Sequence, residues 1–254
     1  MRRLFQRFTQ DKPRREPVSL SAVGVDMHSH LIPGVDDGSK EMDETLAILE
    51  GMAELGYDGV ITTPHVMSDF YRNSSDTLRK GADQVREALR VRGINMSFAV
   101  AAEYYLDEWF EELLAAKDIL TFGDNFLLFE LGFVTPPEIL GRTLFNMQLA
   151  GYKPILAHPE RYPYWHHDFE KYYDLYDRGV LLQVNLNSLT GVYSPQVKKV
   201  AEKLLRAGIV SFIGTDCHNA NHLKISRQAR YNRALGEWLE SGQCRNRELL
   251  QHFG

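Results

Sequence analysis

The sequence predicts an α/β protein of seven parallel strands, closed into a barrel in preference to an open sheet. Seven short apolar runs start 26–38 residues apart, at Val23–Met27, Gly59–Thr62, Ser97–Ala102, Phe126–Glu130, Pro154–Ala157, Val180–Leu186 and Val210–Gly214. Each is too continuous in Val, Ile, Leu and Phe to be half exposed, which is how strands covered on both faces read. Helical periodicity fills the intervals, and the glycine fingerprints of dinucleotide-binding or P-loop sheets are absent after the strands. Right-handed crossovers allow a doubly wound sheet or a barrel, and seven units without such loops favour the barrel.

The helices follow in chain order. Met42, Leu46, Leu49, Met52 and Leu55 recur at three- and four-residue steps and stop at Gly56. Leu78, Ala82, Val85 and Leu89 lead to Gly93, Ile139, Leu140, Leu144 and Met147 to Gly151, and Val197, Val200, Ala201, Leu204 and Leu205 to Gly208. A glycine just past a helix supplies the left-handed cap that turns the chain into the next strand. A last helical pattern, roughly Ser226–Glu240, completes the ring.

At 254 residues, with 44% hydrophobic and 25% charged, the chain fits one soluble domain, since α/β barrels of about 250 residues are routinely single. No apolar run reaches the ~18 residues a spanning helix needs. Two cysteines, Cys217 and Cys244, fit a reducing compartment, so a cytoplasmic location is expected. The net charge of −5 argues against a nucleic-acid partner. Residues 1–16 carry +4, leaving −9 on the rest, and no apolar stretch follows them as it would in a secretory signal. Residues 1–22 therefore read as a basic N-terminal arm and 23–254 as the barrel.

The C-terminal ends of the runs carry the chemistry. The first ends in His28-Ser29-His30, the second in Thr63-Pro64-His65, the third at Glu103, the fourth at Glu130, the fifth at His158 and the seventh in Asp216-Cys217-His218. In a (β/α) barrel that end is the functional face, where side chains from separate strands converge. His28 and His30, two apart on a strand, share a side, as do Asp216 and His218. Burying Glu103 and Glu130 after apolar runs is costly unless they are paired or bound to metal. A lone structural zinc prefers thiolates. Mixed imidazole and carboxylate ligands in this number suit a cluster of manganese, iron or zinc. Adjacent ions let one carboxylate bridge and activate water near neutral pH, a site for hydrolysis and above all for phosphate esters.

In the loop Val35-Asp36-Asp37-Gly38-Ser39, one acid ligates and the other orients it, or the loop is a solvated turn with Ser39 as helix cap. Arg161, in His158-Pro159-Glu160-Arg161-Tyr162, either clamps phosphate oxygens or forms a surface ion pair with Glu160. Asn185 and Asn187 either hydrogen-bond near the site or cap the strand ends. A thiol phosphatase needs an arginine six residues past its cysteine, but Leu223 and Leu250 stand there.

The ordered series His28-Ser29-His30, Asp36-Asp37-Gly38, Thr63-Pro64-His65, Glu103, Glu130, His158-Pro159-Glu160-Arg161-Tyr162 and Asp216-Cys217-His218 resembles the polymerase-and-histidinol-phosphatase (PHP) superfamily. More narrowly, it is similar to the bacterial metal-dependent protein-tyrosine phosphatases that regulate capsular and exopolysaccharide synthesis. The match runs from about Val23 to Ser226. It implies a distorted (β/α)7 TIM-like barrel and three divalent metal ions, manganese before iron or zinc. On the family pattern His28, His30, Glu103 and Asp216 hold one ion. Glu103 bridges to a second with Glu130 and His158, and Asp37, His65 and His218 hold the third. Arg161 binds the phosphoryl group, and Asp37 and His65 join it as candidate catalytic residues. The implied substrate is a phosphotyrosine protein, the tail of a bacterial tyrosine kinase. Phe70, Tyr71, Tyr104, Tyr105, Phe133, Tyr162, Tyr164 and Trp165, near the matched loops, either stack on its ring or pack the core and rim.

Two departures stand out. About two dozen residues precede the first histidine motif. Relatives tend to carry an arginine shortly after the last Asp-x-His, where this chain offers His222, Lys224 and Arg227. The alternatives are another phosphoesterase on the same barrel, histidinol-phosphate-like or a nuclease, and a non-catalytic regulator that binds the kinase. The oligomeric state stays open.

Overall fold

Strands form where the sequence alternates least, and helices fill the intervals. A computed structural model describes residues 16–253; the basic stretch 1–15 of the expected arm lies outside them. In chain order the elements are β1 (Val25–Asp26), α1 (Met42–Leu55), β2 (Gly59–Thr62), β3 (His65–Val66), α2 (Ser75–Arg92), β4 (Ser97–Val100), β5 (Glu103–Tyr105), α3 (Glu108–Ala116), β6 (Phe126–Glu130), α4 (Leu140–Leu149), β7 (Lys153–Ala157), α5 (Glu170–Asp177), β8 (Leu181–Asn185), α6 (Pro195–Ala207), β9 (Val210–Gly214), α7 (Ala220–Ala229) and α8 (Arg233–Glu240). Short 3₁₀ turns punctuate the loops, and one, Asn246–His252, follows α8.

Among the described residues all paired strands are parallel, in a three-stranded sheet β1-β2-β4 and a six-stranded sheet β3-β5-β6-β7-β8-β9. Two of the seven expected runs are therefore each followed by a second short strand. Pro64 has no N–H, so the ladder skips a rung between β2 and β3. Hydrogen bonds still cross the gap, Ala101 N–H donating to Thr62 O (2.9 Å) and Glu103 N–H to Pro64 O (3.1 Å).

The first and last strands also meet. Asn246 accepts from Ile213 N–H (3.0 Å) and donates to Val25 O (2.9 Å) and Ile213 O (2.6 Å). Asp26 accepts from Thr215 N–H (2.8 Å) and Oγ1 (2.9 Å). Above them Asp216 N–H donates to His28 O (2.8 Å), His30 N–H donates to Cys217 O (2.9 Å), and Ser29 and Cys217 form a parallel bridge.

Alternation along the strands divides the core in two. Phe129, Leu156, Leu182 and Val184 pack under helix residues such as Leu49, Met52, Val85 and Leu204. Met27, Ile61, Ala101, Phe126, Leu128, Ile155 and Phe212 form a second cluster that contains no residue of α1–α8. Leu249 joins that cluster, with Leu250 and Phe253 packed against it.

The expected stops at Gly56, Gly93, Gly151 and Gly208 all take positive φ. The last helical pattern is a correction. It is not one helix over Ser226–Glu240 but α7 and α8, because Asn232 breaks the run by capping Leu235 N–H (3.2 Å). Two helices went unread. Asp107 caps α3 through Phe110 N–H (2.8 Å), and α5 buries Tyr172 and Leu175. Leu20 is buried and Val18 N–H donates to Arg230 O (2.9 Å), so packed structure already includes residues before Val23. Among the described residues no helix is long and apolar enough to cross a membrane.

Candidate metal centre

The face that carries the second cluster turns polar toward the strand ends. On β6, Phe126 and Leu128 are followed at the same spacing by Glu130, and Ala99 and Ala101 lead to Glu103. These ends surround a cavity of about 590 Å³ lined by Asp37, His65, Glu103, Glu130, His158, Arg161, Asp216 and His218, with Met67, Phe70, Tyr71, Phe133, Tyr193, Asn219 and His222. His28 and His30 lie behind them, fully buried. All nine residues singled out as ligands fall in overlapping groups whose donor atoms lie within 4.8 Å of one another: His30, Asp37, His65 and His218; His28, His30 and Glu103; His28, His158 and Asp216; His65, Glu103 and Glu130.

Local geometry explains how two neighbouring acids part company. Gly38 sits against His30, where a Cβ would collide with the His30 backbone and side chain. This close approach turns Asp36 inward. Asp36 lies 2.8 Å from His30 Nδ1 and accepts from the backbone N–H groups of Gly38 (2.9 Å) and His65 (3.0 Å). Burial would raise its carboxyl, but His30 and these donors hold it well below the usual carboxylate range. Asp37 faces the cavity, its Oδ1 3.4 Å from His218 Nε2 and 3.6 Å from His65 Nε2. Asp36 is thus taken up by His30 and the two backbone N–H groups, while the Asp37 carboxylate stays toward the cavity.

Counting donors shows what the cluster lacks. His30 Nδ1 is committed to Asp36, and His28 Nδ1 lies 2.8 Å from Gln183 Oε1. The two Nε2 atoms are 3.4 Å apart and face Glu103 Oε2 at 3.2 and 3.4 Å and Asp216 Oδ1 at 3.6 and 3.4 Å. Four acceptor atoms so placed need either protons or a cation between them. Burial opposes a charged His28, but Glu103 and Asp216 hold its pKa up at about 9. Burial likewise pushes the Glu103 carboxyl up, yet His28, His65 and His158 hold it well below its ordinary value. Glu103 Oε2, His65 Nδ1 and His158 Nδ1 are buried without a hydrogen-bond partner. This donor set, imidazole and carboxylate without thiolate, fits divalent manganese, iron or zinc.

Arg161 forms one wall. Its Nη1 donates to Asp216 Oδ2 (3.0 Å), and its guanidinium lies between the rings of Phe133 (4.8 Å) and Tyr193 (4.4 Å). It does not pair with Glu160 at the surface. Glu160 is fully buried and accepts from Asn185 N–H (2.9 Å) and Ser188 Oγ (2.6 Å). Of the two asparagines left open, Asn185 donates to Asp216 Oδ2 (2.7 Å), whereas Asn187 bonds His222 O and Ser226 Oγ away from the cluster. Among the three candidates after the last Asp-x-His, His222 lines the cavity, Lys224 bonds Asn221 and Arg227 pairs with Glu54. Cys217 is buried, and burial pushes its thiol up, so it packs rather than reacts.

Asp26, Gln183 and Tyr193 went unread as site residues. Burial pushes Asp26 up to about 6 against the bonds from Thr215. A signal existed for the first two: each is a polar residue inside or beside an apolar run, two positions from another polar residue.

Residues 24–234 match the profile of a family described as "Capsular polysaccharide synthesis, CpsB/CapC". The tyrosine-protein phosphatase YwqE of Bacillus subtilis is 27% identical over 230 residues, covering 89% of this chain and 91% of that protein. The tyrosine-protein phosphatase CpsB of Streptococcus pneumoniae is 27% identical over 214 residues, covering 82% and 88%. A solved structure described among those of YwqE and CpsB as "unique metal-dependent tyrosine phosphatases" superposes with a TM-score of 0.80 at 25% identity, over 89% of this chain and 94% of that one.

Proposed function

The chain belongs to the CpsB/CapC capsular polysaccharide synthesis family, and from that premise we propose that it hydrolyses phosphotyrosine in proteins with the help of divalent metal ions. One observation carries this: nine imidazoles and carboxylates converge on a cavity where their lone pairs face one another, beside a half-buried arginine. His28, His30, Asp37, His65, Glu103, Glu130, His158, Asp216 and His218 are the proposed ligands of three ions, manganese before iron or zinc. Bound ions of this kind supply Lewis acidity and bring the pKa of water toward neutrality.

The chain's own residues supply position and charge. Asp36 takes the Nδ1–H of His30 and so offers its Nε2 to the cluster. Arg161 spends one of its donors on Asp216 and lines the cavity, where a guanidinium suits the equatorial oxygens of a phosphoryl group. Phe133 and Tyr193 hold that guanidinium from both sides. Phe70 and Tyr71 line the same cavity, and their rings suit the aryl group of the substrate. The leaving phenolate, with a pKa near ~10, needs little proton assistance.

The sheet is proposed to close as a distorted (β/α)7 barrel; the bonds between the first and last strands support closure. The proposed substrate is the tail of a bacterial tyrosine kinase in polysaccharide synthesis, met in the cytoplasm. Release of phosphate from an aryl phosphate and a phosphotyrosine peptide, with Mn²⁺ and after chelation, tests the activity. The proposal expects release that depends on metal. Equal release after chelation contradicts it, and a strong preference for a small alkyl phosphate points to another phosphoesterase.

A further inference from the structure

The strand β8 ends without an acid or an imidazole, unlike its neighbours, yet it carries two fully buried amides two residues apart, Gln183 and Asn185. Buried amides are costly unless every polar atom has a partner. These two are joined to each other and to both sides of the cluster. Asn185 Nδ2 donates to Asp216 Oδ2 (2.7 Å), and Gln183 Nε2 donates to Asn185 Oδ1 (2.9 Å). Gln183 Oε1 accepts from His158 N–H (3.4 Å) and lies 2.8 Å from His28 Nδ1.

The direction of this chain is fixed at both ends. A backbone N–H can only donate, so the Gln183 atom facing His158 is its oxygen. A carboxylate oxygen that also takes Arg161 Nη1 can only accept, so Asn185 turns its amino group to Asp216. His28 must then carry its proton on Nδ1 and present Nε2. Asp216 has Oδ2 filled and presents Oδ1. Nε2 of His28 and Oδ1 of Asp216 lie 3.6 Å apart, on the cluster side.

We infer that Gln183 and Asn185 are positioning residues, a hydrogen-bonded relay on β8 that fixes the ring of His28 and the carboxylate of Asp216 for metal binding. Three neighbouring features fit the role. Glu160 clamps the Asn185 backbone through its N–H. A Cβ on Gly214 would come within 2.6 Å of His28 Cβ and 2.8 Å of Gln183 Nε2, so glycine leaves room for the relay. His158 and Asp216 both hold positive φ, at 35° and 51°, conformations that non-glycine residues keep only when their surroundings enforce them. Each of the two is bonded to a relay amide.

The inference rests on the reading of His28 and Asp216 as metal-holding groups, and the experiment separates the two. Chelated wild type, Gln183→Met, Asn185→Leu, the double variant and Gln183→Glu are titrated with Mn²⁺ by calorimetry, and metal per chain is counted after gel filtration. Each single variant is expected to bind Mn²⁺ about 10–100-fold more weakly. The double variant should be no worse than the weaker single, since the relay acts as one unit. Gln183→Glu keeps an acceptor for His28 and His158 but forces Asn185 to turn its amide around. It should therefore weaken binding as Asn185→Leu does, without touching Asp216. Affinities within about twofold of wild type, or effects that multiply independently in the double variant, overturn the relay. Wild type that takes up neither Mn²⁺ nor Zn²⁺ overturns the metal centre itself. Thermal unfolding of the chelated proteins checks folding. Asn185→Asp, which keeps the shape and sets an acceptor against Asp216, reads the same contact if Asn185→Leu does not fold.

Discussion

At one level of the sheet Phe126 and Phe212 pack with Phe122 and Leu249; four residues further along the same strands the side chains are Glu130 and Asp216. The lower level is apolar and covered by the turn Asn246–His252. The upper level gathers buried acids and imidazoles around a cavity. Both levels are buried, so burial alone does not tell stability from function. What differs is whether the groups are satisfied. The phenyl rings need only contact, whereas the upper atoms face one another and need protons or a cation between them. An account in which one end stabilises and the other reacts predicts that damage to the two will separate.

The sharpest break comes at the upper level. Glu103→Ala removes a carboxylate common to two ligand groups. It should lower turnover by about 10³-fold or more and cut bound metal, while leaving the melting temperature of the chelated protein within a few degrees. Assay, elemental analysis and thermal unfolding check this together. Phe212→Ala is its counterpart below. It should cost about 3–5 kcal/mol in urea unfolding, with kcat and metal content of the folded enzyme unchanged. A large fall in kcat would blur the division.

Arg161→Lys should cost about 10²-fold in kcat/KM at unchanged metal content, because the flat fork held between Phe133 and Tyr193 is lost. Asn246→Ala, which strips partners from Ile213 N–H and from the carbonyls of Val25 and Ile213, should destabilise by about 1–3 kcal/mol without touching catalysis. A further effect is one of pH. In chelated protein the His28 pKa stands at about 9 against an ordinary 6.5. Its imidazolium adds stability in full below pH 6.5, and this is lost as pH rises through 9. The melting temperature of chelated protein should therefore fall across that window. With Mn²⁺ bound the ring is already neutral and the fall should be smaller.

Much of this was legible because it is local in sequence. Six of the seven apolar runs lead within a few residues to an imidazole or carboxylate of the cavity, as Phe126–Glu130 ends in its own acid, so strand and candidate ligand were read together. What escaped is long-range. Asp26 meets Thr215 across 189 residues and Gln183 meets His28 across 155. Asn246 joins strands from opposite ends of the chain. Their roles depend on strand register, which residue identity does not reveal. Pro64 carried an unread signal of the interrupted ladder, since it cannot donate. The division between α7 and α8 hung on one capping asparagine in an otherwise continuous pattern. The family pattern pointed to Asp37, but residue identity alone did not show that Gly38 lies against His30 or that Asp36 bonds its ring.

The most direct test is anomalous diffraction at the manganese edge from crystals grown with Mn²⁺, alongside elemental analysis of the same protein. The account predicts peaks inside the cavity, within about 2.0–2.3 Å of the Nε2 atoms of His28 and His30 and bordered by Glu103 and Asp216. An empty cavity in protein that still hydrolyses phosphotyrosine would contradict it.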